Sequence, residues 1–150
     1  MIYLDNIIFT LQKSGGISKY WHYLNKGLLI NNTPFANIIQ NNANNIFNIK
    51  NPNNFILKNN KKLILNRYFP IQIKENNKFI FHSSYYRYCL SKNAINIVTV
   101  HDFIYEKYRL GLPRLIHSLQ KNIAINKSTK IICNSFNTKK DLFNYYPKLN

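Results

Sequence analysis

Acidic residues are scarce. Asp5, Glu75, Asp102, Glu106 and Asp141 are the only five, against 21 lysines and arginines. Their scatter argues against a carboxylate-built metal site, and the resulting net charge of +16 invites an anionic partner: nucleic acid, phosphosugar or acidic membrane surface. Cysteine is nearly absent as well. Cys89 and Cys133 lie far apart, with no CxxC or Cys/His ligand spacing, so neither a disulfide framework nor a zinc site is expected and a reducing cytosol fits best. No apolar run approaches the ~18 residues of a membrane helix. The opening MIYLDNIIFTLQK carries Asp5 and no basic leader, so a signal peptide is not expected either. Glycine is limited to four residues, and its one pair, Gly15-Gly16, belongs neither to a Gly-Lys-Ser/Thr phosphate loop nor to a G-x-G-x-x-G fingerprint.

What is present fits one ordinary packed domain spanning residues 1–150. Asn, Ile, Lys, Tyr and Phe crowd the chain, all residues with A/T-rich codons. Arginine occurs only at 67, 87, 109 and 114, and no basic cluster exceeds Lys61-Lys62 or Lys139-Lys140. The charge therefore reads as codon drift rather than a built nucleic-acid surface.

Hydrophobic patterning alternates between strand and helix. Ile2 to Phe9 reads as a buried strand running into Lys13-Ser14-Gly15-Gly16, and Ile17, Tyr20, Trp21, Leu24 and Leu28 then recur at helical spacing. Phe35 to Gln40 reads as a second strand, residues 41–60 as an Asn-rich polar excursion, and Lys61 to Tyr68 as a short helix ending before Pro70. Phe79 to Phe81 and Ile95 to Val100 are further strands. Leu112, Leu115, Ile116, Leu119, Ile123 and Ala124 form one stripe of a helix over Leu112 to Lys127, taken as its core face. Lys130 to Cys133 is a last strand, followed by a helix through Tyr146 with N-cap candidates at Asn134 to Thr138.

This order predicts a doubly wound, mostly parallel α/β sheet of Rossmann type, whose ligands bind outside the carboxyl ends of the strands. Four polar loops fall on that rim: Ser14-Gly15-Gly16, His82-Ser83-Ser84, His101-Asp102 and Asn134-Ser135. The glycine turn admits close approach of an anionic or polyhydroxyl group to a helix N-terminus, or simply makes a tight turn. His101 could orient a sugar or accept a proton, with Asp102 beside it; alternatively His101 packs and Asp102 caps a turn. His82 is a weaker candidate, and His22 and His117 are expected on solvated helix faces. No Ser-His-Asp or Cys-His arrangement can be read from the spacing.

Four motifs in order are familiar: Leu11-Gln12-Lys13-Ser14-Gly15-Gly16-Ile17-Ser18-Lys19-Tyr20, Phe81-His82-Ser83-Ser84-Tyr85-Tyr86, Val98-Thr99-Val100-His101-Asp102, and Ile131 to Leu142. They resemble the amino-terminal domain of GT-B glycosyltransferases of family 4, the mannosyltransferases and related enzymes of surface-polysaccharide and lipopolysaccharide assembly. The likeness covers nearly the whole chain except the Asn-rich stretch. It implies the acceptor-side half of a two-domain fold and transfer of a sugar with retention from a nucleotide-sugar donor to a glycan or lipid-linked acceptor. No metal or cofactor is implied. His101 takes the place of the histidine pointing at the donor sugar; Gly15, Gly16, Lys19, His82, Ser83, Tyr85, Asp102, Asn134 and Ser135 are the substrate-binding candidates.

The departure from that family is the absence of a donor domain, of its Glu pair and of a basic pair for the diphosphate, so the chain alone is expected to be inactive and a second chain to supply the other half. The expected location is cytoplasmic, with an anionic inner membrane face as a further partner. A non-catalytic Rossmann-like binding domain or gene remnant is the alternative reading, and a basic nucleic-acid binder the third.

Overall fold

The computed structural model describes residues 1–40, 44–48, 54–57 and 65–149. Among the described residues six strands form one sheet: β1 (Ile2–Asp5), β2 (Phe35–Gln40), β3 (Asn54–Leu57), β4 (Phe79–Ser83), β5 (Ala94–Val100) and β6 (Lys130–Cys133). Their order is β3-β2-β1-β4-β5-β6, and every neighbouring pair runs parallel. The helices are α1 (Ile8–Leu11), α2 (Gly16–Ile30), α3 (Ile104–Tyr108), α4 (Gly111–Lys127) and α5 (Phe136–Tyr145). This is the expected Rossmann-like α/β sheet. Strand order reverses between β1 and β4, the point outside whose strand ends folds of this kind bind ligands.

Side-chain alternation along β1 divides the core. Tyr3 points to the face shared with Ile38, Phe79 and Phe81, which the irregular chain around Ile71 and Cys89 covers. Leu4 points to the other face, where α2 lays Trp21 against Ile8, Phe9 and Phe35, with Ile17, Tyr20, Leu24 and Leu28 packed around them. The α2 stripe is thus the one anticipated. A third cluster joins Val98 and Val100 of β5 to Ala124 and Ile125 of α4 and Leu142 of α5.

Several local expectations change. The strand read as Ile2 to Phe9 ends at Asp5, because Asp5 and Asn6 turn their side chains into buried polar contacts and Ile8–Leu11 then coils into α1. The Asn-rich stretch contains a strand, β3, paired in register with β2; residues 41–43, 49–53 and 58–60 of it lie outside the described residues. Of the helix read over Lys61 to Tyr68, Leu65–Tyr68 is a single 3-10 turn, and residues 61–64 also lie outside.

The largest correction concerns α4. Of its anticipated core stripe only Ala124 is buried, and the rest faces solvent: Leu112 is 71% exposed, Leu115 63% and Leu119 60%. The buried face instead carries His117, Gln120, Lys121, Ala124 and Ile125. The polar members can be inside because they have partners. Lys121 Nζ lies 2.8 Å from Glu106 Oε2 and donates to the Asp102 carbonyl at 2.8 Å, beneath the Phe103 ring.

Candidate functional site

The carboxyl ends of β1, β4, β5 and β6 bring the four anticipated loops to one rim. At the strand-order reversal lies a buried polar knot. Asp5, ending β1, faces Arg87 across 3.3 Å, accepts a hydrogen bond from Ser83 Oγ at 3.1 Å, and its carbonyl accepts from Ser84 Oγ at 2.6 Å. Burial pushes the Asp5 carboxyl up, against the pull of the Arg87 guanidinium and the Ser83 hydroxyl. Ser83 Oγ also accepts the N–H groups of Tyr85 and Arg87, fixing a turn in which Tyr86 adopts φ 48°. That left-handed conformation costs a side-chain-bearing residue about 1–2 kcal/mol, so the Ser83 contacts hold it in place.

Above the knot, α2 presents two aromatic rings to two histidines. Trp21 donates its indole N–H to Asn6 Oδ1 and meets the His82 ring edge-on at 4.8 Å. Tyr20 meets His101 edge-on at 5.4 Å. His82 Nε2 pairs with Thr99 Oγ1 at 2.8 Å, whereas His101 Nε2 is buried without a hydrogen-bond partner among the described residues. Burial lowers both imidazoles to about 4, their mutual repulsion adding to the effect at His82 and Lys121 adding to it at His101 against the opposing pull of Asp102. Both are therefore neutral near pH 7. A neutral imidazole enclosed beside an aromatic ring, with a free ring nitrogen, can donate to or accept from a hydroxyl without importing charge.

The glycine loop leads directly into this seam. The Gly15 carbonyl accepts from Lys19 N–H and Ser18 Oγ, and no side chain caps the first turn of α2. A side chain at Gly15 would collide with the Gln12 amide, while one at Gly16 would meet open space. Across the rim, Ser135 caps α5 by accepting the Thr138 N–H at 3.1 Å, and Thr138 Oγ1 contacts Asn134 Oδ1 and the His101 carbonyl. The ends of β5 and β6 are thereby tied together.

The structure sets Tyr20, one turn into the helix that the glycine loop opens, against His101, and ties Asn134 and Ser135 to the His101 carbonyl through Thr138. Ser83 and His82 sit beneath, engaged with internal partners. Asp102 is half-buried, and its Oδ1 accepts the Ile104 N–H as α3 begins. Tyr85 packs toward Arg67 and His117, and Lys19 is exposed on α2. His117 is not solvated as expected: it is buried, stacked on Tyr105 at 4.0 Å, with Nδ1 3.9 Å from Glu106. His22 is half-buried and donates to the Phe47 carbonyl at 2.9 Å. Sequence reasoning missed Asp5, Asn6, Arg87 and Lys121; the strand-end rule that singled out His101-Asp102 applies equally to Asp5-Asn6. Comparison of the chain with family models, with curated proteins and with solved structures gives no match.

Proposed function

We propose that this domain is the acceptor-side half of a retaining glycosyltransferase, moving a sugar from a nucleotide-sugar donor to a surface-polysaccharide or glycolipid acceptor, with His101 beside the reacting centre. The observation that carries the reading is the neutral, buried His101, whose Nε2 has no hydrogen-bond partner among the described residues, set at a strand end against the helix that the Gly15-Gly16 loop opens. Front-face transfer depends on positioning and on charge stabilisation at the leaving diphosphate, and a neutral donor or acceptor at a sugar hydroxyl suits that need. A donor-binding domain, in this or another polypeptide, faces the rim and holds most of the nucleotide. The reading needs no metal, and it places the protein in the cytoplasm with an anionic inner membrane face as one partner.

The test is a transfer assay with a panel of nucleotide sugars, using the chain alone and together with a donor-domain polypeptide. Turnover only by the pair supports the reading. The internal engagement of Ser83, Asp102 and Ser135 favours a second reading, a binding domain without chemistry. Saturable ligand binding by the pair with no transfer under any donor selects that one.

A further inference from the structure

The exposed face of α4 has no partner among the described residues. A helix turns about 100° per residue, so Leu112, Leu115, Ile116, Leu119 and Ile123 lie on one arc, opposite the arc that docks through Lys121 and Ile125. The exposed stripe continues onto Phe69, 61% exposed, across a groove of about 220 Å³ between the 3-10 turn and α4. An apolar surface of this extent on one side of a small domain marks a contact site.

Charge identifies what fits it. Helix α4 contains no acidic residue, while Arg109 precedes it and Lys127 ends it, both exposed. The five acids that might offset these cations are engaged inside the fold or in pairs: Asp5 with Arg87, Glu106 with Lys121, Asp141 with Lys107, Glu75 with the Tyr3 hydroxyl and Asp102 with the Ile104 N–H. A second copy on the stripe would set +16 against +16. An anionic bilayer both accepts apolar side chains below its headgroups and supplies the missing counter-charge. No described helix is long and apolar enough to cross a membrane, so a helix of this kind would meet a bilayer only in its interface plane.

We infer that the α4 stripe is a docking surface for an anionic lipid bilayer, with Leu115 and Leu119 inserted and Arg109 and Lys127 at the headgroups. The inference gives the membrane partner of the proposed function a definite face and does not depend on sugar chemistry.

The test is co-sedimentation of the full chain with vesicles of phosphatidylcholine carrying phosphatidylglycerol, against pure phosphatidylcholine. Wild type should bind the anionic vesicles at least roughly tenfold more tightly. Leu115→Glu with Leu119→Glu, both at solvent-facing positions, should weaken binding by roughly 10²-fold with unchanged circular dichroism, and Arg109→Glu by roughly fivefold or more. Equal binding by the leucine variant, or no preference of wild type for anionic vesicles, overturns the inference. So does sedimentation equilibrium showing a dimer that the same leucine variant dissolves, without vesicle binding. Vesicle binding by a protein that fails every transfer assay upholds the docking surface and overturns the transferase alone.

Discussion

His101 owes its neutrality to enclosure, and that enclosure makes two outcomes predictable. Its ring touches Tyr20 but carries no hydrogen bond from Nε2, so His101→Ala should cost only about 1 kcal/mol of stability. In the paired enzyme the same change should lower kcat by about 10²-fold, or about 2.7 kcal/mol of transition-state stabilisation. Steady-state kinetics beside thermal melts check both; full activity would return His101 to a packing role. The second outcome concerns acid. Unfolded, His82 and His101 take up protons near 6.5, whereas folded they stay neutral down to about 4. As pH falls through that window the unfolded chain binds more protons, so stability is lost by up to about 3 kcal/mol per histidine; above the window none is lost. Melts of wild type and of a His82→Gln, His101→Gln variant across the window should diverge, the variant declining less. Parallel curves would show that neither imidazole is held neutral. His101 was legible in the sequence because it directly follows the most apolar strand. Asp5 was not, because what gives it a role is Arg87, a partner 82 positions away that no local pattern announces.

At the scale of the element, α4 shows where periodicity stops informing. The pattern identified the helix and its apolar face correctly, but it could not say which face the sheet covers. Burial of the opposite face depends on Lys121, His117 and Glu106 coming together from α3 and α4. That network should behave as a unit. Glu106, held down to about 2 by His117 and Lys121 despite burial, is ionised at neutral pH. Glu106→Gln would leave Lys121 fully buried without a counter-charge, at an expected cost of about 3–5 kcal/mol in urea unfolding. Glu106→Leu with Lys121→Met should recover most of that loss, and equal instability of the single and double variants would show that charge pairing is not the reason. A smaller effect is expected at α5. Ser135→Ala removes an N-cap and should cost about 1 kcal/mol, with Ser135→Asp near wild type. If both substitutions instead leave stability unchanged while abolishing transfer, Ser135 acts on substrate and not on the helix.

At the scale of the whole molecule, the alternation of strands and helices was enough to anticipate a parallel sheet with its polar loops on one rim, since both follow from local patterning and chain connectivity. Strand β3 escaped notice because asparagine-rich surroundings carry no strand signal of their own; its pairing with β2 supplies the order. The net charge is likewise a property of the whole molecule. With no acidic residue in α4 and all five acids engaged elsewhere, most of the 21 cations are unopposed but scattered, and only loosely placed phosphate contacts can form on duplex DNA. Binding built from such contacts is almost entirely counterion release, so its affinity falls steeply with salt. Docking of α4 on a bilayer combines the same electrostatic attraction with apolar insertion, which salt does not screen. Titrating both partners with salt should therefore separate them. Duplex DNA binding should be weak at low ionic strength and vanish by physiological salt, while binding to phosphatidylglycerol vesicles weakens but persists. Fluorescence anisotropy with unrelated duplexes, run beside vesicle co-sedimentation in the same buffers, gives the comparison. Sequence-selective DNA binding that survives physiological salt would mean the cations form an ordered nucleic-acid surface. Vesicle binding lost at the same salt as DNA binding would mean that the exposed leucines of α4 do not insert.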